Sequence, residues 1–213
     1  MSGARHAVRL VNATLGNLPA IFDAAGNYLK GGFTLASEQP AYVRGNYNAN
    51  DAGFGTPNAA SAVIADATTL LSRSWSDMQS LLHPRYYNNN APVSRFASTS
   101  WYRLAIASGK NLSFPQPNWG ASQDFGTDGG VHNFLRYLET WNGQTSHYKG
   151  SLVSFYYSHY GNGSFKCCAI VYSPPTRDYS FDTNFLDPQQ LPPGTPRFRD
   201  VVNLSFTQDF KPQ

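Results

Sequence analysis

Apolar side chains recur at Val131, Phe134, Leu135, Leu138 and Trp141, the i, i+3, i+4 spacing that lines one stripe of an α-helix. The pattern predicts an amphipathic helix over 129–141, with Asp128 as N-cap and Asn142-Gly143 as a left-handed stop. Elsewhere the period changes. Short runs alternate small and apolar residues and close on Gly, Asn or Ser, as strands do. They occupy 7–12, 20–22, 33–36, 41–48, 62–72, 102–111, 150–158 and 165–172, with a last run carrying Val202, Leu204 and Phe206. A lone amphipathic helix among strands must lay its stripe on a sheet face or over an open sheet end. Phe134, Leu138 and Trp141 are therefore expected to be structural.

The phrases Val-Arg-Gly-Asn (43–46) and Ala-Ser-Gly-Lys-Asn (107–111) end two runs alike, as successive rungs of a parallel β-helix do. The expected fold is mainly β, a parallel β-helix-like solenoid with long loops and one capping helix; a β-sandwich is the alternative. Two long excursions interrupt it, at 74–95, where 75–82 can hold a short helix, and at 114–128. Loops of this length bind something or pack as covers. Prolines hold 172–197 extended, while Tyr172, Tyr179, Phe181, Phe185 and Leu191 anchor it and Arg177 and Arg197 donate to exposed carbonyls. That stretch reads as an ordered strap within a single domain, 1–213.

Composition narrows the class. Only 14% of the 213 residues are charged, against 15% aromatic, and turn formers abound, as in extracellular β proteins. A net charge of +3 with dispersed Lys and Arg excludes a nucleic-acid partner. No apolar run is long enough to span a bilayer, and residues 1–20 offer no uninterrupted signal-like core. Export would then use a segment outside this chain; otherwise the protein is cytosolic. Cys167 and Cys168 are adjacent and cannot staple distant elements. The favoured state is two reduced side chains on opposite faces of a strand; a vicinal disulfide and pairing with another chain are the alternatives.

Candidate chemistry is sparse. No Gly-x-Ser-x-Gly or His-Glu-x-x-His motif occurs, and the five histidines are scattered. A thiol–imidazole pair of Cys167 or Cys168 with His147 or His159 would need adjacent strands. Among the acids, Asp66, Asp124, Asp128, Asp178, Asp182 and Asp187 stand out. Asp124 and Asp128 form a weak calcium candidate, more simply read as a turn and a helix N-cap, and no other cofactor is expected. Asp178 and Asp182 are read as bonding backbone within the strap. Trp75, Tyr86, Tyr87, Trp101 and Trp119 are candidates for a glycan-stacking or protein-binding surface, against the simpler reading that they pack under loops. Asn-x-Ser/Thr triplets begin at Asn12, Asn111, Asn162 and Asn203 and are expected by chance in so Asn-rich a chain.

Gly-Gly-Val-His-Asn-Phe-Leu-Arg-Tyr-Leu-Glu-Thr-Trp (129–141), Tyr-Lys-Gly-Ser-Leu-Val (148–153), Tyr-Ser-Pro-Pro-Thr-Arg-Asp-Tyr-Ser-Phe-Asp (172–182) and Leu-Pro-Pro-Gly-Thr-Pro-Arg (191–197) resemble a family of large bacterial surface proteins. Its members are described as PilX-like, type IV pilus assembly or minor-pilin-like. Pro-Ala-Tyr-Val-Arg-Gly-Asn-Tyr-Asn (40–48) and Ala-Val-Ile-Ala-Asp-Ala (62–67) fit the same family, so the resemblance runs through about 7–200. It implies an exported module carried by a hydrophobic pilin-like N-terminal helix, which this sequence lacks, and it supplies no catalytic residue. The expected function is a non-enzymatic structural or adhesive module of an extracellular, pilus-like filament at the bacterial surface. Its partners would be copies of itself, pilus-like subunits or glycans, with self-assembly a further expectation. A carbohydrate-active β-helix enzyme, lyase or hydrolase, is the alternative from a different class.

Overall fold

The computed structural model describes residues 6–80, 95–110, 134–161, 172–197 and 205. Its strands are β1 (Val8–Leu10), β2 (Ala20–Phe22), β3 (Tyr28–Gly31), β4 (Phe33–Ser37), β5 (Ala41–Arg44), β6 (Ser61–Ala65), β7 (Thr68–Leu71), β8 (Ser100–Ser108), β9 (Thr145–Val153) and β10 (Thr176–Phe181). One short helix, α1 (Asp77–Ser80), falls inside the 75–82 window that the sequence allows. The chain is mainly β. Its two larger sheets, β1-β5-β7 and β10-β9-β8-β6-β4, are parallel throughout, while β2 and β3 form a separate antiparallel hairpin. From β4 to β8 successive strands alternate between the two parallel sheets, so neighbours within a sheet come from successive passes of the chain.

The sequence run 62–72 is thus two strands, not one. Asp66 and Ala67 turn the chain between β6 and β7, which lie in different sheets. Alternation within each strand sends one set of side chains inward. In β8 the inward residues are Ser100, Tyr102, Leu104, Ile106 and Ser108, all buried. Register then stacks like on like: Leu35, Val63, Ile106 and Leu152 form one column, and Tyr47, Tyr102, Tyr148 and Tyr179 another. The phenols of the second column find internal acceptors. Tyr102 donates to the Leu71 carbonyl at 2.9 Å and Tyr148 to those of Leu104 at 2.6 Å and Ser151 at 2.9 Å. Gly150 makes room for this, because a Cβ there would lie 1.8 Å from the Leu104 carbonyl oxygen and 2.8 Å from the Tyr148 hydroxyl.

The expected capping helix is absent: residues 134–141 form two isolated bridges, at Arg136 and Thr140, with bends at Leu135 and Glu139, while Asp128 and 129–133 lie outside the described residues. Arg136 bridges Thr69 in parallel, and Thr140 bridges both Phe96 and Ser173. The backbone donors go to neighbouring passes: Arg136 N–H to the Thr68 carbonyl at 2.9 Å, and Thr140 N–H to that of Arg95 at 2.7 Å. Leu135, Tyr137, Glu139 and Trp141 are the buried alternate positions. A carboxylate at one of them hid the period of two, and the remaining apolar residues imitated a period of 3.6. Phe134 and Trp141 are buried and Leu138 packs against the core, so all three are core residues without a helix. Asn142-Gly143 ends the segment as a turn closed by Gln144 N–H to the Trp141 carbonyl at 2.7 Å.

Residues 172–197 make up the C-terminal strap. After β10, Asp182 caps a 3-10 turn (Thr183–Leu186) and Asp187 caps a second (Pro188–Gln190). The carboxylate of Asp182 accepts from Arg103 Nε at 2.6 Å and Nη2 at 3.0 Å, a buried bidentate pair on the outward side of β8. Farther on, Thr34 Oγ1 donates to the Pro193 carbonyl at 2.6 Å. The strap therefore runs from the last strand of the five-stranded sheet back to the first, over the outer face near the strand starts. Arg177 and Arg197 are both exposed; Arg177 lies toward the Tyr179 phenol and Arg197 toward Tyr28.

Candidate functional site

The strap leaves the other half of that outer face open. Ala36 and Ile64 are register neighbours there, both pointing outward, and Ile64 is 42% exposed. The loop that follows β9 supplies a wall. It crosses the end of β8, where Lys110 bridges Tyr157, Lys110 N–H donates to the Tyr156 carbonyl at 3.0 Å and Ser158 N–H to the Lys110 carbonyl at 2.9 Å. It then fastens on Asp66, the turn residue between β6 and β7.

Asp66 is a latch. Its carboxylate accepts from Ser158 Oγ at 2.6 Å, His159 N–H at 2.6 Å and Tyr160 N–H at 3.0 Å. Gly161 N–H in turn donates to Ser158 Oγ at 2.7 Å. Gly109 lies beneath, where a Cβ would come within 2.4 Å of the Asp66 carbonyl oxygen and 2.8 Å of Ser158 N. Burial pushes the Asp66 carboxyl up, but the three hydrogen bonds and the nearby His159 outweigh it and hold the group below its ordinary value. Tyr156 is pinned as well, its hydroxyl donating to the Ala65 carbonyl at 2.7 Å.

The result is an open groove of about 600 Å³ with Ala36 and Ile64 as floor, Tyr156, His159 and Tyr160 as wall, and Ser37, Glu38 and Asp66 at its polar edge. Its volume falls in the range of small-molecule sites, about 300–1,000 Å³. Tyr156 and Tyr160 are 40% and 41% exposed, and Phe155 and Tyr157 beside them 84% and 59%. Exposed aromatic area of this kind, rimmed by polar groups, is the mark of a contact surface. Two of the groove's polar groups are already engaged. Ser158 Oγ is buried and committed, and Asp66, held ionised with its oxygens engaged, cannot donate a proton. No group of three or more His, Cys, Asp or Glu able to hold a metal occurs among the described residues. A smaller concavity of about 290 Å³ lies between Asn12, Arg44, Asn46, Asp51 and Arg73, and Arg73 is already paired with Asp51.

No protein-family model, curated protein or solved structure matches the chain. Function must therefore be argued from the residues. Of the aromatic candidates, Trp75 is 5% exposed, its indole N–H donating to Asp77 at 3.2 Å. Trp101 is covered on one face by His147, stacked at 3.5 Å and 8°, and meets Phe54 edge-on at 5.1 Å. Both pack within the fold instead of presenting open rings. Tyr86, Tyr87, Trp119, Asp124, Asp128, Cys167 and Cys168 lie outside the described residues. His147 is engaged by Asp178 at 2.6 Å, so Asp178 bonds a side chain on the neighbouring strand, not the strap backbone. Asp182 does cap the strap, but its main partner is Arg103. The groove residues Tyr156 and Tyr160 were missed, although Phe155-Tyr156-Tyr157-Ser158-His159-Tyr160 is the densest aromatic stretch of the chain. Among the described residues no helix is long and apolar enough to cross a membrane.

Proposed function

We propose that this chain is a non-enzymatic, extracellular module of a pilus-like or other surface filament, adhesive through its aromatic groove and built as a β-helix. Winding into a solenoid is the simplest path for a chain whose strands from β4 to β8 alternate between two parallel sheets and stack similar residues in columns. The observation that carries the adhesive reading is the groove itself. Its one buried carboxylate is spent on holding the wall, so the site is built to bind and not to turn over. The resemblance in 129–141 and 172–197 supports the pilus-like setting.

A structural, self-assembling role has its own support: β4 and β10, the two outer strands of one sheet, run in the same direction, and a second copy could extend the sheet. The carbohydrate-active enzyme is favoured only by Glu38 sharing the groove with Asp66. Negative-stain microscopy of the purified chain over a range of concentration separates these roles. The adhesive reading predicts discrete particles, and regular filaments would make the chain a structural subunit instead. Products appearing from a bound glycan would overturn the non-enzymatic assignment.

A further inference from the structure

The groove has more to say about its ligand. We infer that it takes a neutral saccharide, stacked on Tyr156 and Tyr160 over Ile64, with Glu38 accepting ring hydroxyls; this rests on the adhesive reading above. The wall is ready in place. The Tyr156 hydroxyl is tied to the Ala65 carbonyl, and the backbone around Tyr160 is held by Asp66, so little order is lost when a ligand docks. Tyrosine faces above an aliphatic floor match the C–H face of a pyranose. A carboxylate at the edge accepts two hydroxyl protons at once, which an apolar peptide side chain cannot supply.

Charge narrows the class. The ionisable groups on the groove are the acids Glu38 and Asp66 and the imidazole of His159, with no Lys or Arg among the lining residues. A uronate or sialylated chain would meet the like charge of Glu38 with no lining Lys or Arg to receive it, and His159 already faces Asp66. A cationic ligand is the other chemistry that aromatic rings and acids attract. Here, however, Asp66 is already offset by three donors and by the neighbouring His159, and the rings stand on one wall instead of enclosing a cage. One exposed carboxylate beside a stacking surface suits hydroxyls best.

The test titrates the whole chain with three probes, a neutral oligosaccharide mixture of cello- and manno-type chains, oligogalacturonate, and a lysine-rich peptide. Binding is read by calorimetry and tyrosine fluorescence at low and high salt, and the ligand is recovered and sized. The inference predicts binding of a neutral chain that is unchanged by salt, about tenfold weaker in Tyr160→Ala and weakened in Glu38→Gln. Both side chains are exposed, so both variants should keep the parent melting temperature. Binding of only the uronate or the peptide would overturn the neutral class and leave adhesion standing. Binding of none of the probes would overturn the saccharide site and remove the groove's claim to adhesion. Shortened chains on recovery would keep the saccharide and overturn the non-enzymatic reading.

Discussion

Two buried carboxylates carry opposite pH signatures. Asp66 is held below its ordinary value, after its hydrogen bonds overcome the opposing effect of burial. Its contribution to stability is therefore present above the pKa of an unfolded aspartate, near 3.8, and is lost as pH falls through the lower folded value. Glu139 is pushed the other way, up to about 7 by burial, with the bonds from Ser72 N–H and Oγ opposing the shift. The folded state then keeps a proton that the unfolded chain has released, so stability falls as pH rises from about 4.5 to about 7, by roughly 3 kcal/mol. Thermal melts of Glu139→Gln should lose that decline. Asp66→Asn should flatten the acid limb and, by unfastening the loop, cost about 1–3 kcal/mol near neutral pH. Asp66 was legible in the sequence only as one of the few acids, inside the run 62–72. Its role was not, because its donors sit 92–94 residues away.

At the scale of elements, strands were legible and their sheets were not. The runs near β2, β4 and β8 were visible because small, apolar and turn-forming residues mark them locally. The split of 62–72 depended on Asp66 turning into a different sheet, a choice set by packing. The predicted helix failed at Glu139, which occupies an inward position where Ser72 bonds it and Arg95 and Arg44 lie near. The strap was legible from its prolines, but its fastening to Arg103 joins positions 79 apart. Arg103→Ala should destabilise by about 3–5 kcal/mol, since it leaves Asp182 buried without its partner. Replacing both members by apolar residues should recover much of that loss. A double-mutant cycle in denaturant would show the coupling, and additive losses would mean the strap is held by other contacts.

For the molecule as a whole, the outer face of the five-stranded sheet is divided between the strap near the strand starts and the groove near the strand ends. The class of fold was legible in the sequence, because turn-rich composition and alternating runs leave few other options. The groove was not, because it combines residues of β4, β6 and the loop after β9 that meet only once the strands are in register. Nuclear magnetic resonance of the labelled chain with a neutral oligosaccharide tests the central claim most directly. The account predicts shifts centred on Ile64, Tyr156 and Tyr160 and a ligand recovered at its original length. Shifts elsewhere, or a ligand cleaved during the titration, would contradict it.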